Sequence, residues 1–196
     1  STYGFERGTP VDRHYLHAFL QTHRDLITGD VLEVQNTTYT RWFGHDLART
    51  DTFDIVAEFS PTYVCDLAHS DDVLPGAAYD CLLLPNALQH FRELDACLRH
   101  AFRAVRPGGV ILASAAGLLP LTGPTGDYWR FAPAGWRETL AAAWPGSDIV
   151  VTGHGNCLAA AAAQMGLAAE ELSPAELDAD DPRFPVLTTI LCRKHR

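Results

Sequence analysis

Three acidic residues close short apolar runs: Glu33 follows Val31-Leu32, Glu58 follows Ile55-Val56-Ala57, and Asp66 follows Tyr63-Val64-Cys65. A carboxylate at a strand end can accept hydrogen bonds from ribose hydroxyls, and it disfavours a second phosphate. Glu58 comes 25 residues after Glu33, near the ~20-residue offset of a ribose-binding acid in a dinucleotide fold. Four other side chains have proton-handling chemistry. His90 and His154 carry imidazoles that titrate near neutrality and can take a proton from an alcohol or amine. Asp127 and Tyr128, in Gly126-Asp127-Tyr128-Trp129-Arg130, can act as base and orienting hydroxyl for a sugar or phenol, with Trp129 stacking on the sugar face. The plainer readings are a lid held by Asp127 and Arg130, a surface His154, and Asn156 as a helix cap. Asp71-Asp72 lacks a third ligand, so no metal is expected.

These residues need strands and loops to bring them together. Apolar runs at 31–34, 55–57, 63–65, 81–84, 110–113, 149–152 and 186–192 read as strands. Thr9 as N-cap and Pro10 at the first helical position open an amphipathic helix over 10–27. Leu88, Phe91, Leu94, Leu98, Phe102 and Val105 form a second helical stripe, stopped by Pro107-Gly108-Gly109. Helices follow at 133–144, with Trp136 and Leu140 inward, and at 157–165, closed by Gly166. Gly123-Pro124-Thr125-Gly126 marks a loop ahead of the Asp-Tyr-Trp-Arg stretch. Alternating strands and helices imply an α/β fold, a Rossmann-like doubly wound sheet that is mostly parallel, with an antiparallel edge strand from the last two strands. Ligands of such sheets lie beyond the carboxyl ends of the strands, where the strand order reverses. That rule selects Glu33 through Tyr39, Glu58, Asp66, Pro85-Asn86 and the stretch from Ser114 to Gly117.

Composition narrows the function classes. A chain of 196 residues with 47% apolar and 20% charged residues is enough for one globular domain with a sizeable core. A net charge of −9 argues against nucleic acid and anionic membrane surfaces, which need clustered Lys and Arg. The five cysteines (65, 81, 97, 157 and 192) form no C-x-x-C, and their apolar settings suggest reduced thiols and a cytoplasmic location. Neither a signal peptide nor an apolar run long enough to span a bilayer is expected. A start at Ser1 rather than Met fits a trimmed chain or a piece of a longer protein.

The segments VLEVQNTTYT (31–40), CDL (65–67), YDCLLLPNALQHF (79–91) and LRHAFRAVRPGGVILAS (98–114), with Glu58, together resemble the class I S-adenosylmethionine-dependent methyltransferases. The last segment, a helix running through R-P-G-G straight into an apolar strand, is the most specific. GDYWRFAPAGWRETL (126–140) and ERGTPVDRHY (6–15) resemble members associated with glycosyltransferases of polysaccharide and secondary metabolism. The resemblance covers residues 29 to 192 and implies a methyltransferase domain over 29–196, preceded by a cap helix segment over 1–28. It implies S-adenosylmethionine as cofactor and S-adenosylhomocysteine as product. Glu33 would be the first-motif acid, and Gln35, Asn36, Thr37 and Tyr39 the loop beneath the methionine part. Glu58 would take the ribose hydroxyls, and Asp66 and Leu67 would flank the adenine. Pro85 and Asn86 would lie beside the transferable methyl, with His90 near them. Arg7, Arg13 or Tyr15 could meet the methionine carboxylate, while Asp12 with Arg13 reads more simply as a solvated pair.

One departure bears on all of this. The family's first motif is E-x-G-x-G-x-G, whereas this chain has Glu33-Val34-Gln35-Asn36-Thr37-Thr38-Tyr39-Thr40. Glycine serves such loops by tolerating positive φ and close ligand approach. Either Thr38, Tyr39 and Thr40 replace the glycine contacts, or Gln35 blocks the methionine end. The first alternative gives methyl transfer to a hydroxyl or amine of a small molecule, a sugar or glycosylated metabolite, in association with a glycosyltransferase. His90, Asp127, Tyr128 and His154 are then the proton-handling candidates. The second gives a degenerate module that binds a partner, or a different reaction such as a cyclisation in the same pocket. The oligomeric state is open on either.

Overall fold

The computed structural model describes residues 3–122 and 126–196, so the loop expected at Gly123-Pro124-Thr125 lies outside the described residues. Its strands are β1 (Gly29–Val34), β2 (Leu47–Asp54), β3 (Tyr63–Val64), β4 (Tyr79–Leu84), β5 (Val105–Ala116), β6 (Ser147–His154) and β7 (Leu187–Lys194). The helices are α1 (Val11–Thr22), α2 (Thr38–Phe43), α3 (Leu94–Ala104), α4 (Pro133–Ala143), α5 (Cys157–Met165) and α6 (Pro174–Asp178). The strands form one sheet in the order β3-β2-β1-β4-β5-β7-β6. β1 through β5 pair in parallel, and β7 runs antiparallel between β5 and β6. The order reverses between β1 and β4, which opens a crevice at their carboxyl ends.

Side-chain alternation explains the layers. Successive strand residues point to opposite faces. Leu32, Leu82, Leu84, Ile111 and Ala113 enter the core that includes Leu98 of α3 and Trp136 and Leu140 of α4. Val31, Cys81, Leu83, Val110 and Leu112 enter a second core with Leu16 and Leu20 of α1, Phe43 of α2 and Ala159, Ala160, Ala162 and Ala163 of α5. Covered on both faces, β4 and β5 read as continuous apolar runs. Because α1 joins this second core, residues 11–22 pack as part of the same body as the sheet.

Several expected boundaries shift. α1 ends at Thr22, and a 3-10 turn, Arg24–Leu26, carries the chain on. Pro10 is the cap residue and no side chain caps it. Thr9 is held instead by the 168–170 segment, donating its N–H to Glu170 and accepting from the N–H of Ala169. The second strand lies at Leu47–Asp54 rather than 55–57. It sits one place in from the sheet edge, and its buried half carries Asp51 and Thr52 beside Phe53, so no apolar run marks it, while Ile55, 66% exposed, lies in the bend that follows. The long helix expected from Leu88 is a 3-10 turn, Leu88–His90, then α3 from Leu94. Val105 and Pro107-Gly108-Gly109 belong to β5, with Gly108 at φ 84° supplying the irregularity. α5 is capped as expected: Asn156 Oδ1 accepts from the N–H of Ala159, and Gly166 adopts the left-handed conformation.

Candidate functional site

Two adjoining hollows lie at the crevice. The outer cleft has a volume of ≈ 480 Å³, within the ~300–1,000 Å³ of small-molecule sites. Its floor is the loop after β1. Gln35 takes φ 71°, the left-handed conformation that glycine would adopt most cheaply. Its N–H donates to the carbonyl of Phe53 at 2.7 Å, tying the loop to β2. Asn36 Oδ1 accepts from both the N–H (2.9 Å) and the hydroxyl (2.5 Å) of Thr38. Thr37 occupies the N-cap position of α2 without a side-chain cap bond of its own.

Glu33 supplies that cap from β1. Only 1% exposed, its carboxylate accepts from the N–H of Tyr39 (3.0 Å), the N–H of Thr40 (2.8 Å) and the Thr40 hydroxyl (2.7 Å). Burial pushes the Glu33 carboxyl up from its ordinary range, and the three hydrogen bonds act against that rise. Glu33 is thus spent on shaping the loop. The opposite wall comes from α1, where Arg13 and His17 line the cleft beside Tyr39, and from Pro85 at the end of β4. Burial also raises the Tyr39 phenol, with Arg13 opposing, and lowers the His17 imidazole.

The inner hollow is smaller, ≈ 100 Å³, and meets the outer cleft at Phe5 and Arg13. Its polar wall is a chain of side chains at the ends of β4 and β5. Asn86, at φ 49°, donates its N–H to Ser114 Oγ (2.7 Å), and Ser114 Oγ donates back to Asn86 Oδ1 (3.0 Å). Asn86 Nδ2 donates to Asp12 Oδ2 at 2.6 Å. Gln89 Nε2 donates to the Asn86 carbonyl and lies 3.1 Å from His90 Nε2, while Gln89 Oε1 accepts from the N–H of Ala116. His90 Nδ1 lies 2.6 Å from the Gly126 carbonyl. A carbonyl only accepts, so Nδ1 carries the proton in the neutral ring, and Nε2 accepts from Gln89. The one lone pair His90 could use as a base is already engaged.

The Asp-Tyr-Trp-Arg stretch takes the plainer of its two readings. The Asp127 side chain, 4% exposed, is paired with Arg130 and accepts from the N–H and hydroxyl of Thr122. Burial alone would raise this carboxyl, but the bonds from Arg130 and Thr122 bring it below the usual carboxylate range. Arg130 also donates to the carbonyls of Gly117, Leu119 and Pro120, so the pair ties the lid together. Trp129 donates from Nε1 to the Phe91 carbonyl and packs against Phe131 at a tilted angle. Tyr128 is 48% exposed; its N–H donates to the Gln89 carbonyl, and its hydroxyl bonds no described residue.

Other expected site residues stand apart from both hollows. His154 ends β6, two strand positions beyond β5, and lines a separate recess with Phe19 of α1 and Val150. Its Nε2 lies 2.7 Å from Thr189 Oγ1, its ring stacks on Tyr15 at 6.0 Å, and burial lowers its pKa. The structure does not bring it to His90. Glu58 is in an exposed turn; the acid that ends β2 is Asp54. Asp66 Oδ1 caps the 3-10 turn Leu67–His69 by accepting from the N–H of Ala68, and Leu67 is buried in the core. Asp71 faces His100 and Arg103, and Arg7 pairs with Glu171. Among the described residues no group of three or more His, Cys, Asp or Glu is placed to hold a metal, and no helix is long and apolar enough to cross a membrane. Ser114 entered through the strand-end stretch Ser114 to Gly117, whereas Asp12 and Gln89, which line the inner hollow, were not singled out as site residues in the sequence; nothing local distinguishes Gln89 from a core polar residue.

Residues 36–113 match a family model described as a methyltransferase domain. No curated protein sequence matches the chain. Among solved structures, a SAM-dependent methyltransferase from Archaeoglobus fulgidus is similar with a TM-score of 0.62 at 13% identity, covering 93% of this chain and 94% of that one. The [4+2]-cyclase SpnF is similar with a TM-score of 0.61 at 19% identity, over 96% of this chain and 83% of that one. Phosphoethanolamine N-methyltransferase 2 of Haemonchus contortus, in complex with phosphomonomethylethanolamine and S-adenosylhomocysteine, gives 0.62 at 14% identity, over 93% of this chain and 53% of that one. With its seven-stranded, mostly parallel sheet and the match over residues 36–113, the chain has the class I methyltransferase fold.

Proposed function

We propose that this chain binds S-adenosylmethionine in the outer cleft and transfers its methyl group to a hydroxyl or amine of a small molecule in the inner hollow, leaving S-adenosylhomocysteine. The observation that carries this reading is the left-handed Gln35. The loop keeps the backbone turn without glycine, and a cleft of ≈ 480 Å³ stays open above it. The donor set fits the cofactor's amino acid end: Arg13 for its carboxylate, with the Asn36 side-chain amide and the Tyr39 hydroxyl close by. Pro85 lines the outer cleft and the adjacent Asn86 the inner hollow, so the methyl would be presented between them. For the ribose we assign Asp54, which ends β2, ahead of the exposed Glu58. Asp66 and Leu67, which line neither hollow, are kept on the adenine side only as the sequence resemblance implies. The bound sulfonium supplies an activated methyl, so the chain's task is alignment and removal of a proton.

The sugar-linked acceptor, the association with a glycosyltransferase and the cytoplasmic location rest on the sequence alone. Fold likeness to a cyclase shows that this architecture does not by itself dictate methyl transfer. Calorimetric titration of the purified protein with S-adenosylmethionine and S-adenosylhomocysteine tests the reading. Micromolar binding of both is expected. Absence of heat with either would remove the cofactor and leave the partner-binding module.

A further inference from the structure

We infer that Asp12 receives the acceptor: its Oδ1 takes the hydrogen bond of the acceptor's hydroxyl or amine in the inner hollow and accepts that proton as the methyl arrives. This rests on the methyl-transfer reading. On sequence Asp12 looks like half of a solvated pair with Arg13. In the structure it is 7% exposed and lines the inner hollow. Both of its partners, Arg13 Nη1 and Asn86 Nδ2, bond the same oxygen, Oδ2, each at 2.6 Å. Oδ1 accepts no hydrogen bond from any described residue. With Oδ2 already shared by two donors, Oδ1 is the oxygen of Asp12 left to meet a donor that enters the hollow.

The neighbouring groups strengthen the assignment by having nothing left to offer. Asp127 has both oxygens engaged by Arg130 and Thr122. Ser114 and Gln89 are satisfied within the wall, and the His90 lone pair is taken by Gln89. Asp12 is also fixed in place. Its bond to Asn86 ties α1 to the end of β4, one residue from Pro85, which lines the outer cleft. The hollow's ≈ 100 Å³ admits an arm of a few heavy atoms rather than a whole sugar ring. A carboxylate at its wall favours arms that donate a hydrogen bond and repels carboxylates and phosphates.

The step balances. The acceptor's oxygen or nitrogen lone pair forms the new bond to the methyl carbon. The carbon–sulfur bond breaks with its electron pair going to sulfur, which loses its positive charge. The acceptor's proton passes to Asp12 Oδ1 and then to solvent, which regenerates the carboxylate.

The test uses three probes of one shape: propylamine, propanol and propionate, titrated by NMR into protein saturated with S-adenosylhomocysteine. Wild type should bind the amine or the alcohol and reject propionate, and whichever binds identifies the nucleophile. Asp12→Asn should weaken that binding by about tenfold or more and relax the rejection of propionate, while calorimetric affinity for S-adenosylhomocysteine stays within about twofold. An Asp12→Asn protein that binds S-adenosylhomocysteine and keeps wild-type probe affinity would make Asp12 a strut and overturn the assignment. If that variant does not fold, the wild-type ranking decides alone: propionate bound as well as the other two, or no probe bound at all, overturns it. Loss of S-adenosylhomocysteine binding in wild type is a different result, since it removes the methyl-transfer reading itself.

Discussion

Around the outer cleft the chain presents mainly a backbone turn, with Gln35 held left-handed and α2 held by the single buried carboxylate of Glu33. Around the inner hollow, which meets the cleft at Phe5 and Arg13, it presents side chains locked to one another: Asp12, Asn86, Ser114, Gln89 and His90. The first construction fixes a shape and leaves the Gln35 side chain exchangeable. The second fixes the side chains and leaves one oxygen open. A backbone-built cleft suits a ligand bound in the same way throughout a fold, while an interlocked wall suits one chosen acceptor. The contrast predicts that the outer cleft fails as a unit when its organising acid is removed, and tolerates change at Gln35.

Glu33→Ala is the largest expected effect. It strands two N–H groups and a hydroxyl at a buried position and opens space beside Cys81 and Leu83. We expect a loss of about 3 kcal/mol in urea unfolding, equivalent to roughly 6–12 °C in Tm for a chain of this size. S-adenosylhomocysteine binding should disappear with the loop. A variant as stable as wild type would mean that α2 is held by Phe43 packing, and that the two hollows do not differ in the way described.

How much of this could be read from sequence follows from the same contrast. β4 and β5 were legible because both of their faces are buried, which leaves continuous apolar runs. β2 was not, because it lies next to the edge and its buried positions include Asp51 and Thr52, so the apolar but exposed Ile55 and Val56 drew the assignment outward. α2 has six residues, and its cap comes from Glu33 on another element, a tertiary bond that local pattern does not record. The strand-end rule gave the right edge of the sheet for Pro85 and Asn86. It gave no strand order, so His154 and His90 looked equivalent although β7 and β5 separate their strands. Asp12 was read as solvated because its neighbour Arg13 is adjacent in sequence, whereas its second partner, Asn86, is 74 residues away.

The far edge also provides a control. Burial holds the His154 imidazole below the ordinary histidine range, with Asp180 acting weakly the other way. The unfolded chain therefore takes up a proton that the folded chain refuses once the pH falls below about 6.5. Stability from this group is complete above that value and is lost as the pH drops towards the folded pKa. His17 and His23 are depressed in the same sense, while the raised Glu33 acts oppositely, gaining stability as acid is added. His154→Gln keeps a partner for Thr189 and removes one titration. Its Tm should fall less than that of wild type between pH 7.5 and pH 5.5, with S-adenosylhomocysteine affinity unchanged at both. A fall as steep as the wild type's would show that His154 does not titrate in this window. Changed affinity would place it back at the site.

Gln35→Gly is the smallest effect and the most discriminating. A side chain at φ 71° costs ~1–2 kcal/mol against glycine in the folded state, and glycine gives back ~0.5–1 kcal/mol through its looser unfolded chain. The variant should be more stable by about 0.5–1 kcal/mol, a Tm rise of roughly 1–4 °C. Affinity then separates the two roles of Gln35. If the backbone turn is what the cofactor reads, S-adenosylhomocysteine should bind within about threefold of wild type, since the turn is kept and only a lining side chain is lost. Binding tighter by more than about tenfold would mean that the side chain intrudes on the methionine end, and that the loop has drifted from its task. Binding weaker by a similar factor would mean that the Gln35 amide is itself a ligand contact, and the outer cleft would join the inner one as a site built from side chains.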